Sequence, residues 1–244
     1  MRKLSTPAQA LVAMVAAGGL ASLLVRVADI GRWDTQDVVA FLLLAAGIAL
    51  TEQFQVPIRF GSENLTFSLT EALWVGALIL ARPSVVTMSV AAGILIGQVT
   101  RRRPLHKLAF NAGQFLLALT AAQVVVAAVR SPGVLRPMTF LAVGLGMALY
   151  AAINAGLVAL VISLAARTSF GSVLLPPLPE NVLHFAANTA LGLAALVMWH
   201  AAPGAVSVLV LPLALSFVAY RALLSRFAQP APAPVRESVL QVSV

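Results

Sequence analysis

Three asparagines stand inside apolar runs, each followed by small residues: Asn111 in Phe-Asn-Ala-Gly-Gln, Asn154 in Ile-Asn-Ala-Gly-Leu and Asn188 in Ala-Asn-Thr-Ala-Leu. An amide in such surroundings is costly unless it finds a hydrogen-bond partner, so these positions are the first place to look for function. Gln114 and Tyr150 add uncharged donors and acceptors. His184 lies one helical turn before Asn188, and Glu180 extends the stripe by a further turn, a spacing that suits metal coordination or acid–base work. The candidate ligand-binding set is therefore Asn111, Gln114, Tyr150, Asn154, His184 and Asn188. A plainer role competes at each position. Amides of this kind tie helices together at about 0.6 kcal/mol each, and His184 then sits at the interface where its helix begins.

The pair His184-x-x-x-Asn188 resembles one motif of the CPBP (CAAX-processing) membrane proteases. Those enzymes also carry paired glutamates before an arginine, and no Glu-Glu pair occurs here. There is no His-Glu-x-x-His zinc motif. With no cysteine, thiol nucleophiles, thiolate metal sites and disulfides are excluded. The expectation is a protein without catalytic activity, resident metal or cofactor.

The elements that must position these residues are transmembrane helices. Of the 244 residues 60% are hydrophobic and only 10% charged, against about a quarter charged in a soluble domain. A net charge of +8 would suit nucleic acid, but the bases cluster between apolar runs, as they do where Lys and Arg set membrane topology. Nucleic acid is not an expected partner. The lipid bilayer is, together with a membrane protein or a second copy of this chain.

Apolar stretches of roughly the 20 residues a span requires occur at 8–25, 38–54, 68–81, 84–100, 107–129, 138–166, 181–200 and 205–224. The expected fold is all-α, a polytopic transmembrane bundle of about eight spans with six as the lower bound. The third stretch is too short to cross comfortably and joins the fourth through Arg82-Pro83. Small residues spaced by four, at Gly93 and Gly97, at Ala13, Ala17 and Ala21, and at Ala148, Ala152 and Gly156, predict close helix crossings. The domain division is a transmembrane unit over 1–226 and a Pro-rich cytoplasmic tail over 227–244.

If the N-terminus is inside, the inner segments hold Arg2, Lys3, Arg59, Arg101, Arg102, Arg103, Lys107, Arg167, Arg221, Arg226 and Arg236, and the outer ones only Arg26, Arg32, Arg82, Arg130 and Arg136. That asymmetry predicts both termini in the cytoplasm. Glu52 and Glu71 fall at the inner boundary, with no ionisable group expected at the bilayer centre, which counts against an ion-coupled carrier. Between the second and third stretches the period changes to two. Val56, Ile58 and Phe60 alternate, turn chemistry follows at 61–64, and Leu65, Phe67 and Leu69 alternate again, so a β-hairpin is expected near 55–70, either interfacial or folded into a ligand pocket between helices.

Residues 65–123 run through Thr-Phe-Ser-Leu, two closely coupled helices, an Arg-rich turn and Leu-Ala-Phe-Asn-Ala-Gly-Gln-Phe. This order resembles the N-terminal transmembrane regions of actinobacterial signalling proteins that precede HD-GYP or GGDEF domains. Leu-Pro-Leu-Ala-Leu and Ala-Tyr-Arg-Ala, between 211 and 222, are similar to the last span of those regions. The resemblance implies a sensory module in a bacterial cytoplasmic membrane, here followed by a short tail in place of an output domain. Three functions remain open: a sensory or regulatory module that binds a small ligand or membrane partner, the substrate-binding component of a transporter, and a structural subunit of a membrane complex.

Overall fold

A computed structural model describes residues 5–53, 56–60, 63–67, 69–130 and 135–205; for 56–60, 63–67 and residue 205 it describes the backbone alone. The expected eighth stretch at 205–224 and the tail at 227–244 lie outside these residues, apart from the backbone of Ala205, as does the 211–222 part of the resemblance. The elements are α1 (Thr6–Val27), α2 (Thr35–Gln53), β1 (Val56–Phe60), β2 (Glu63–Phe67), α3 (Thr70–Leu80), α4 (Pro83–Thr100), α5 (Leu105–Val129), α6 (Pro137–Ala166), a short α7 (Phe170–Leu174) and α8 (Leu178–Ala201). Six of the described helices are long and apolar enough to cross a membrane: α1, α2, α4, α5, α6 and α8. The chain is thus an integral, multi-pass membrane protein built as a helical bundle.

Proline sets several boundaries. Arg82 and Arg136 are extended because a following proline disfavours the helical region, and Pro83 and Pro137 then begin α4 and α6 at a position where no N–H is needed. This punctuation limits α3 to 11 residues, about 16 Å at 1.5 Å per residue, or half a hydrocarbon core. At the start of α2, Asp34 and Asp37 cap each other reciprocally: Asp37 N–H donates to Asp34 Oδ1 at 2.9 Å and Asp34 N–H to Asp37 Oδ2 at 3.2 Å.

The expected hairpin forms, with antiparallel β1 and β2 in register from Val56 opposite Phe67 to Phe60 opposite Glu63. Its strands leave the end of α2 and return to the start of α3, which ties them to the end of the bundle where Arg101 to Pro104 turn between α4 and α5.

Helices pair side by side in the same direction. Gly93 lies on Ile48 and Gly97 on Glu52, which sets α4 along α2. Gly19 lies on Gly113, and Arg26 Nη2 donates to Gln123 Oε1 at 3.2 Å, which sets α1 along α5. Gly192 lies on Val75 and Ala72, which sets α8 along α3. The predicted role of Gly93 and Gly97 holds. The alanine stripe does not: Ala13, Ala17 and Ala21 are exposed, and α1 buries Ala8, Leu11, Val15 and Gly19 instead. Likewise Ala148 and Ala152 are exposed and no atom approaches within 4 Å of a β-carbon built on Gly156, whereas Gly146 meets Ala122 and Val126. The physical reason is that small residues tolerate close approach without dictating which face makes it; the bulkier Leu11 and Val15 decide the orientation of α1.

Burial places α3 and α4 centrally. In the most apolar stretch of α4, 61% of residues are buried, against 17% in α1 and in α2. The core gathers Trp74, Val75, Val90, Ile94, Leu119, Met147 and Tyr150. Outer faces show Met14, Leu24, Leu42, Leu43, Val182 and Leu183. In water that display would drive association; against lipid tails it carries no penalty, and packing and polar contacts hold the helices together.

Candidate functional site

A buried polar cluster occupies the hairpin end of the bundle, built from α2, α3, α6 and α8. Glu52, in the last turn of α2, and Glu71, in the first turn of α3, are 3% and 4% exposed. Thr70 Oγ1 donates to Glu52 Oε1 at 3.3 Å and lies 3.0 Å from Thr51 Oγ1, so the two helix ends are stitched by hydroxyls. Arg101 folds back from the end of α4 and donates from Nη1 to Glu52 O at 2.9 Å. Gln53 Nε2 donates to Gly97 O at 3.0 Å in the same seam.

Glu71 points across to α8, where His184 Nε2 stands 3.5 Å from its Oε2. Asn188, one turn further along α8 and fully buried, brings its amide nitrogen within 3.4 Å of His184 Nδ1 and 3.3 Å of Nε2. The imidazole stands in a line between the Asn188 amide, which reaches both ring nitrogens, and the Glu71 carboxylate, whose Oε2 makes no hydrogen bond among the described residues. The completely buried Tyr150, midway along α6, lies in the electrostatic reach of Glu71 first and Glu52 second. Its ring meets Trp74 edge-on at 4.8 Å and Phe185 at 5.6 Å, while Phe185 also meets His184 at 5.2 Å.

Three of the six residues singled out from sequence, Tyr150, His184 and Asn188, thus come together. The three asparagines take separate hydrogen-bonding roles. Asn111 donates to Gln98 Oε1 at 3.2 Å on α4, Asn188 turns to His184, and Asn154 Oδ1 is buried without a hydrogen-bond partner among the described residues. Gln114 is buried with its Oε1 likewise unmatched, next to Phe115, whose ring is 6.3 Å from Tyr150. Glu180, the outer member of the expected α8 stripe, keeps Oε2 buried and unmatched among the described residues.

Sequence reasoning missed Glu52, Thr70, Glu71 and Trp74 as members. It placed both carboxylates at the ends of their apolar stretches and gave no account of their lateral position. The available signal was Thr70-Glu71 opening an apolar helix with Trp74 one turn on, a carboxylate and an indole on one face of α3. Trp74 Nε1 is buried with no hydrogen-bond partner among the described residues. Buried donors and acceptors left this way are usually met by ordered water or by a ligand. Among the described residues no three His, Asp or Glu side chains gather as a metal-binding group.

The geometry can bind a small hydrogen-bonding molecule or couple helix positions through a carboxylate–imidazole contact. No family model, curated protein or solved structure matches the chain.

Proposed function

We propose that this chain is a non-catalytic sensory or regulatory module of a bacterial cytoplasmic membrane, with the Glu71 cluster as its ligand-responsive site and the hairpin end facing the cytoplasm. One observation carries the reading: the Asn188–His184–Glu71 line is buried against Tyr150, with the unmatched Trp74 indole on the same helix face. The cluster joins the short α3, and through it the hairpin, to α2, α6 and α8. A ligand that competes for Glu71 or satisfies Trp74 changes how α3 seats, and the hairpin transmits that change to the membrane surface. The order of elements over 65–123, which resembles the membrane regions ahead of HD-GYP and GGDEF domains, supports the same role, as does the collection of Arg101, Arg102 and Arg103 at the hairpin end.

The test is native mass spectrometry of the full chain extracted with its surrounding lipid. The expected result is a bound non-lipid molecule whose occupancy falls at least about tenfold in Trp74→Phe and Glu71→Gln, the loss expected when a hydrogen bond to a buried charged or polar group is removed. A wild-type chain that carries no such molecule, or equal occupancy in all three, would reject the reading.

A transport component is the second reading, favoured by Glu52, Glu71 and His184 inside the bundle, since ion-coupled carriers use ionisable groups within the membrane. Solute uptake into proteoliposomes that is abolished by Glu71→Gln would select it over the sensory role.

A further inference from the structure

A second site lies apart from the Glu71 cluster, where the start of α1 meets the end of α6. Ser163 is 13 residues beyond Tyr150 on α6, about 20 Å along the helix. A cleft of about 600 Å³ opens there, lined chiefly by Ser5, Thr6, Ser163, Arg167 and Thr168, with no carboxylate.

Three acceptors at this end of α6 are already used. Leu164 O accepts from Ser5 Oγ at 2.8 Å. Ser163 O accepts from the Arg167 and Thr168 amides, and Ser163 Oγ donates to Leu160 O at 2.9 Å. Beside these the cleft is lined by a guanidinium and the hydroxyls of Thr6 and Thr168. None of the ion pairs among the described residues involves Arg167. A pocket of donors around one positive charge, without a competing carboxylate, suits an anion.

Arg167 also occupies a position where glycine is the usual choice. It caps α6 in the left-handed conformation, φ 56 and ψ 42, and a side chain with a β-carbon is strained there. Because α1 and α6 are both long enough to span, the start of one and the end of the other fall at the membrane surface, the level of phospholipid phosphates. Both helices expose apolar side chains near this end, Ile162 at 45% and Met14 at 64%, as expected where acyl chains surround them.

We infer that this cleft binds a phosphate-bearing group through Arg167, Thr6 and Thr168, and that its source is an anionic phospholipid headgroup. The experiment places the full chain in nanodiscs of equal phosphatidylcholine and phosphatidylglycerol and counts retained lipids by native mass spectrometry. The wild type should retain phosphatidylglycerol in preference, by about tenfold, the worth of one charge-assisted hydrogen bond. Arg167→Gln and Arg167→Gly should lose that preference. The glycine variant suits the left-handed backbone, so its loss cannot be blamed on misfolding. Arg32→Gln, at the opposite end and highly exposed, should keep the preference. An unchanged preference in both Arg167 variants would overturn the site. Displacement of the lipid by millimolar inorganic phosphate would keep the phosphate chemistry but overturn the lipid as its source.

Discussion

Removing the Glu71 carboxylate would take away the acidic group that His184 Nε2 faces at 3.5 Å. The pair should therefore couple energetically. A double-mutant cycle with Glu71→Ala and His184→Ala, read by reversible unfolding in mixed micelles, is expected to give an interaction of about 0.5–2 kcal/mol. Strict additivity of the two losses would show that the contact contributes nothing to stability. The residues on either side explain what sequence could and could not reveal here. His184 and Asn188 announce themselves because they are polar, four apart and inside an apolar run. Glu71 was legible as a boundary carboxylate only, since its burial depends on α8 lying alongside α3, and that pairing rests on Gly192 seated against Val75 more than 100 residues later.

At the scale of elements, the crossings make a sharper test than any single polar contact. A β-carbon added to Gly113 would meet Val15 O at 2.5 Å and Ala16 Cα at 2.9 Å, both on the backbone of α1 and unable to give way. Gly113→Ala should lower stability by about 1–3 kcal/mol, seen as an earlier thermal transition in detergent. Gly156→Ala, with open space around it, should stabilise slightly through higher helix propensity, by up to about 1 kcal/mol. The long helices were readable because apolar length and proline punctuation are local properties, whereas the short α7 was not expected. The hairpin was readable because its period of two breaks an otherwise helical pattern. Which small residue makes the crossing was not, because a four-residue spacing occurs on several faces of α1 and α6 and only the neighbour decides among them.

For the whole molecule, the absence of cysteine allows threading to be tested without background. Single cysteines introduced as Pro104→Cys and Gly31→Cys should label from opposite sides of intact spheroplasts or inverted vesicles, with position 104 reacting from the cytoplasm. Labelling of both from one side would refute the proposed orientation. Eight stretches were expected and six long helices are described. The difference has two sources: α3 is cut to half-length by the turn before Pro83, and the last stretch lies beyond the described residues.

The same-direction pairing of α1 with α5, α2 with α4 and α3 with α8 has a consequence for biosynthesis. Each early helix leaves the ribosome well before its lateral partner has been made, so the first half of the chain enters the bilayer with incomplete neighbours. Glu71 in particular must wait for α8 before an imidazole reaches it, and until then its carboxylate lacks that contact. Chains truncated after Ala166 should consequently be cleared faster than full-length ones in a pulse-chase measurement, and replacing Glu71 by Leu should lengthen the life of the truncated form while leaving that of the full chain the same or shorter.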